Sequence, residues 1–146
     1  MKAFAYELAA QPVSVKASRL APPVITYVVE REIWRLEEAY THQDGQNEIT
    51  VPAKFEFDLA SVPRLMWWLI SPFDLSVAAP LIHDFLYRYG GDPPDGAITP
   101  PRVYDRKEAD QLFRRIMKEE GVWWWRRVAA YLAVRVFGGG AWGGRG

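Results

Sequence analysis

Few side chains in this 146-residue chain could do chemistry, and most of them fall in two short stretches. His83-Asp84 lies in the most apolar helical stretch, where only Asp84 and Arg88 otherwise interrupt the run from Val77 to Tyr89. Ala79, Leu86 and Tyr87 share the face of His83 at helical offsets. A carboxylate carried into such surroundings needs a partner. For Asp84 that partner is either Arg88, one turn on, or a cation. The second stretch holds Asp110, at the edge of the apolar face of the next helix. If the two helices pack antiparallel, Asp110 reaches the His83 imidazole, fixes its tautomer and supports its imidazolium, as a general base requires. The plainer alternatives are a core histidine beside an Asp84–Arg88 pair, and a rim carboxylate paired with Arg106 or Arg114.

Other constellations carry less. Ser61 has no base in its own segment. Glu119-Glu120 reads as a solvated helix end, and His42, in a polar turn beside Asp44, as a solvent-exposed residue. No glycine-rich loop precedes a helix, so no phosphate cradle is expected. Cysteine is absent and histidine occurs twice, which excludes disulfides, thiolate zinc sites and multi-histidine metal cages.

The elements that must position these residues are readable from pattern. Residues 1–23 form an arm ending at Pro22-Pro23, and residues 24–57 read as β. Val24–Val29 is β-branched and aromatic, and Glu32–Leu36 alternates with period two, with helix as the rival for Glu30–Tyr40. Asp44-Gly45 signals a hairpin, with Ile49–Val51 and Phe55–Phe57 as the returning strand. Asp58–Arg64 reads as a loop, followed by the apolar Leu65–Ile70. Ser76–Tyr89 reads as a buried helix closed by Gly90-Gly91, with Pro80 either in its first turn, starting it near Ala79, or kinking it. Residues 92–101 read as loop. Asp105 and Glu108 form a capping-box pattern, and Ala109, Leu112, Phe113, Ile116 and Met117 share one face. A last helix runs from about Val122 to Phe137, and residues 138–146 read as a glycine-rich tail, flexible or ordered only by a partner. The expected fold is therefore one α+β domain: an N-terminal antiparallel hairpin or small sheet, then a three-helix C-terminal half (58–137).

Two resemblances follow. A strand ending in Asp58-Leu59-Ala60-Ser61-Val62-Pro63-Arg64, then His83-Asp84-Phe85-Leu86-Tyr87, then Ala109-Asp110 with Phe113, then a helix ending Val134-Arg135-Val136-Phe137-Gly138, resembles a phage and prophage family catalogued as domain of unknown function thirteen-fifty-three, over roughly residues 25–138. The family brings no activity with it. It implies a phage-encoded virion or assembly component, with Ser61, Pro63, Arg64, Arg88 and Phe113 as motif residues around a structural polar cluster. More locally, Ile82–Tyr89 resembles the active-site helix of bacterial secreted phospholipases of the A-two type. That likeness implies His83 as general base, Asp110 as its orienter, Tyr87 as the aromatic a turn beyond, and calcium on Asp58, Asp84 and a backbone carbonyl such as that of Leu59. It implies ester hydrolysis at the cell envelope.

Composition bounds the partners. Formal net charge is zero, which argues against generic nucleic-acid binding. Residues 1–101 hold 8 basic against 13 acidic side chains, and residues 102–146 hold 10 against 5, so a net of −5 precedes one of +5. Trp123-Trp124-Trp125-Arg126-Arg127 opens the last helix. Three consecutive tryptophans point about 100° apart, so they cannot all face one core. They are expected to form a contact surface for phage structural proteins, for a second copy of the chain, or for an anionic lipid surface. No apolar run approaches the roughly 20 residues of a membrane span, and the N-terminus makes a poor signal peptide. The virion or the host cytoplasm is the expected location.

Overall fold

The computed structural model describes residues 22–31, 33–57 and 77–144. The expectations for the N-terminal arm, for Asp58–Arg64 and for Leu65–Ile70 fall outside these residues.

The β part forms two three-stranded antiparallel sheets. Strands β1 (Ile25–Val28), β2 (Ile33–Leu36) and β5 (Glu56–Phe57) make one, in that order. Strands β3 (Tyr40–Asp44), β4 (Asn47–Val51) and β6 (Ile98–Thr99) make the other. The described residues of Glu30–Tyr40 are thus not helical; period-two alternation prevails, with Trp34 opposite Tyr27 and Leu36 opposite Ile25. The hairpin at Asp44-Gly45 is present, with Asp44 opposite Asn47. Its returning strand is shorter than expected. Pro52 cannot donate to a ladder, the chain turns, and Phe55–Phe57 pairs instead beside β2, where the Leu36 amide donates to the Phe55 carbonyl at 2.9 Å. Residues 92–101 are not wholly loop either, because Ile98 pairs with Ile49 to add β6.

Three helices follow: α1 (Ala78–Arg88), α2 (Arg106–Glu119) and α3 (Trp124–Phe137). The fold is α+β, as the pattern implied. Pro80 lies in the first turn of α1, where backbone donors have no intrahelical acceptor anyway. The α1 N-terminus has no side-chain cap of its own. Glu120 serves instead, accepting from the Ala79 amide at 3.1 Å, so this residue is more than a solvated helix end. The capping box of α2 is complete: Glu108 N donates to Asp105 Oδ1 at 2.7 Å, and Asp105 N to Glu108 Oε2 at 2.9 Å. The core joins Leu36, Ile49, Val51 and Phe57 of the sheets to Leu81, Ile82, Phe85 and Leu86 of α1 and Leu112, Phe113 and Ile116 of α2. From α3 only Ala130 is buried.

Two expectations about exposure are overturned. His42 is buried, because β3 runs through it and alternation turns Tyr40, His42 and Asp44 inward, with Ile49 opposite His42. Its Nδ1 has no hydrogen-bond partner among the described residues. Burial pushes its pKa down from 6.5; Glu119 and Asp44 oppose that shift and Arg115 adds to it. The unfolded chain therefore takes up this proton at a higher pH than the folded chain does. The His42 contribution is full above 6.5 and is lost as the pH falls from there towards the lowered folded value. Denaturant midpoints measured at neutral pH and about one unit below 6.5 should fall less for His42→Leu than for the wild type.

The glycine-rich tail is not free over residues 138–144. Gly138–Ala141 forms a 3-10 turn, and the Trp142 ring packs edge-on against Tyr87, centroids 5.0 Å apart. The Gly143 amide donates to the Tyr87 carbonyl at 2.7 Å. A tryptophan inside a glycine run supplies the apolar area that glycine lacks, which is why the segment docks.

Candidate functional site

The α1 and α2 helices pack together and bring the expected pair into contact. His83 Nε2 lies 2.8 Å from Asp110 Oδ1. Tyr87, one turn beyond His83, donates its hydroxyl to the same oxygen at 2.6 Å. The second oxygen, Oδ2, accepts from Arg135 Nη1 of α3 at 2.8 Å. Asp110 is fully buried rather than on the rim, and its cation is neither Arg106 nor Arg114. Arg114 lies over the Tyr131 ring. Arg106 acts one step back: its Nε donates to the Tyr87 hydroxyl at 3.2 Å, while Nη2 donates to the carbonyls of Val134 and Arg135. Those carbonyls are in the last turn of α3, where Val134 O also accepts from the Gly138 amide, so Arg106 caps that helix end.

Burial alone would push the Asp110 carboxyl up. Hydrogen bonds from His83, Tyr87 and Arg135 overcome that and hold it below the usual carboxylate range. An ionised carboxylate only accepts, so the neutral imidazole must carry its hydrogen on Nε2, which leaves the Nδ1 lone pair available. Burial drives the His83 pKa down; Asp110 raises it and Arg106 lowers it further, with a net shift below 6.5, so the ring is neutral at neutral pH. Tyr87 is pushed well up, by burial first and by its bond to Asp110 second, and stays a donor. The imidazole packs beside the rings of Tyr87 and Phe113, with centroids 4.1 and 4.7 Å away, and its side chain keeps 12% exposure. Such a group can take a proton from a molecule at Nδ1 while Asp110 stabilises the resulting cation.

The other expected residues are placed as follows. Asp84 is partly exposed and meets Arg88 Nη2 at 3.4 Å, so of the two partners considered the arginine is present. The Arg88 guanidinium also covers the Phe55 ring. Asp58, Leu59, Ser61, Pro63 and Arg64 lie outside the described residues. Among the described residues no group of three or more His, Cys, Asp or Glu side chains is placed to hold a metal. Calcium takes six to eight oxygens, and of its expected ligands only the Asp84 carboxylate is in view, so the described residues do not by themselves fit the ion. Trp123, Trp124 and Trp125 are exposed at 64%, 65% and 40%; Arg126 stacks on Trp125, and Arg127 donates to the Val122 carbonyl. No helix among the described residues is long and apolar enough to cross a membrane.

Arg135, Arg106 and Trp142 were not singled out as site residues from sequence. Arg135 did leave a signal: it is the lone charge in Leu132–Phe137, and a cation in an apolar run implies a carboxylate facing it.

Residues 34–134 match the family described as protein of unknown function (DUF1353). The chain belongs to this family. The matched region takes in β2 to β6, all of α1 and α2, and most of α3, so His83, Tyr87, Arg106 and Asp110 of this DUF1353 protein lie inside it. Among curated proteins and among solved structures nothing matches the chain.

Proposed function

We propose that this DUF1353 protein is an ester hydrolase in which His83 is the general base, Asp110 its orienter and Tyr87 a second donor to Asp110. The observation that carries this reading is the His83 Nε2 contact with a buried, ionised Asp110, which leaves Nδ1 as the only basic atom of the ring. In the step this supports, Nδ1 takes a proton from water as its oxygen bonds to the ester carbonyl carbon. The imidazolium then returns that proton to the departing alkoxide as the C–O bond breaks. No step is routed through calcium. On this reading His83→Gln lowers hydrolysis of phospholipid vesicles by about 10²–10⁴-fold with little change in melting temperature. Equal inactivity of wild type and variant on phospholipid and peptidoglycan substrates would overturn it. A stability loss of about 1–3 kcal/mol in that same variant would instead mark the cluster as a structural tie.

The second reading, a phage virion or assembly component, is favoured by the surface of α3. Trp125, Leu132 and Val136 fall on one face of it at helical spacing, Leu132 and Val136 are exposed, and residues 121–146 contain no Asp or Glu. Such a surface suits a phage structural protein, a second copy of the chain or an anionic lipid surface. Trp123→Ala, Trp124→Ala and Trp125→Ala, made singly, should weaken oligomeric mass or binding to anionic vesicles in at least one case. If neither quantity moves in any variant, the contact-surface reading is wrong.

A further inference from the structure

The C-terminal turn is built against Tyr87, one of the two rings of α1 that bond Asp110. Trp142 meets Tyr87 edge-on at 88° and 5.0 Å, and Gly143 bonds the Tyr87 carbonyl. Gly138 approaches the phenol so closely that a Cβ there would lie 2.8 Å from Oη and 3.1 Å from Cε2. Arg106 holds the same hydroxyl and, through the Val134 and Arg135 carbonyls, the end of the helix that leads into the turn. The Tyr87 ring is therefore held at its edge, its tip and its backbone, and its hydroxyl shares Asp110 Oδ1 with His83. A carboxylate fixed by several donors has one orientation, and so does the imidazole bonded to it.

We propose that the turn Gly138–Trp142 is a positioning clamp for the His83–Asp110 pair, acting through the Tyr87 phenol. Neither residue is catalytic; the turn sets the direction of the imidazole by denying Tyr87 any other position. Among the described residues, the charged and polar groups around that imidazole are Asp110 and Arg106 from α2, Tyr87 from α1 and, across Asp110, Arg135 from α3. The clamp concerns geometry alone, so its test reads no hydrolysis and can fail independently of the hydrolase reading.

The test is nitrogen and proton magnetic resonance on the full chain with labelled histidine, at neutral pH. The chain has two histidines, and His42→Leu assigns the signals. The wild type should show His83 as a single Nε2–H tautomer with a slowly exchanging Nε2 proton. Gly138 has a right-handed φ of −79°, so Gly138→Ala leaves the backbone unstrained and acts through its Cβ on the phenol. Both Gly138→Ala and Trp142→Ala should speed exchange of the Nε2 proton at least about tenfold and mix the tautomers. Trp142→Phe, which restores a ring edge, should recover the wild-type signal. Tyr87→Phe should reproduce the loss, and Gly138→Ala should add nothing to it. If Gly138→Ala fails to fold, Trp142→Leu, which keeps bulk but not the ring edge, carries the same test. An unchanged tautomer and exchange rate in folded Gly138→Ala or folded Trp142→Leu would overturn the clamp. So would an effect of Gly138→Ala that persists undiminished in Tyr87→Phe.

Discussion

Asp110→Ala should destabilise the fold by about 2–5 kcal/mol, from about 1–3 kcal/mol for each of the two buried donors, His83 Nε2–H and the Tyr87 hydroxyl, left without an acceptor. The size follows from what is stranded. Arg135 loses its carboxylate, and His83 Nε2–H and the Tyr87 hydroxyl lose an acceptor in a site from which Asp110 is wholly excluded from water. Against a typical domain stability of about 5–15 kcal/mol this is a large fraction. Asp110→Asn should lose less, since the amide keeps one acceptor oxygen for two of the three donors. Adding Arg135→Met to Asp110→Ala should restore part of the loss by removing the orphaned cation. Urea unfolding of the three variants checks the order. A single Asp110→Ala effect below about 1 kcal/mol would show that water reaches the site and that the carboxylate is not the tie described here.

Gly91→Ala is expected to be similarly severe for a different reason. Gly91 has φ +81°, a left-handed conformation that strains any residue with a Cβ by about 1–2 kcal/mol. An added Cβ would lie 1.7 Å from the Tyr104 carbonyl oxygen and 2.7 Å from its carbon. Both neighbours are backbone, so relief requires parting α1 from the strand of chain before α2. That motion breaks the bond from Tyr104 N to Gly91 O at 2.9 Å and loosens the Tyr104 hydroxyl from Asp44 at 2.7 Å. The total should reach about 3–5 kcal/mol, measurable as a large drop in melting temperature. Gly96→Ala is the control: its φ is also positive, but nothing lies within 4 Å of its Cβ, so only the conformational share should appear.

Much of this architecture was legible because local rules agree with it. The Asp105–Glu108 capping box, the face of α2 and the Asp44-Gly45 hairpin each depend on neighbours in sequence. The pairing of His83 with Asp110 spans 27 residues, yet it was legible because two consecutive apolar-faced helices pack on each other. What escaped depends on distant partners. Phe55–Phe57 was legible as strand but its pairing beside β2 was not, and β6, with two residues, is too short for any periodicity and exists because β4 offers an edge. His42 was misread because one histidine beside turn residues looks polar, whereas strand alternation across the turn decides its side. The tail was misread because its glycines outweigh Trp142 in composition while Trp142 outweighs them in contact area. The Arg135 tie spans 25 residues and two helices, and only the oddity of a lone cation among Leu132, Val134, Val136 and Phe137 hinted at it.

The order in which the chain is made gives the Asp110–Arg135 tie a further meaning. The acid precedes its cation by 25 residues. While a growing chain ends before α3, closing α1 onto α2 gives Asp110 the donors His83 and Tyr87 but not its cation, and a carboxylate is costly to bury without one. Closure of the two helices is therefore less favourable before Arg135 is made than after it, even though their apolar faces are already complete.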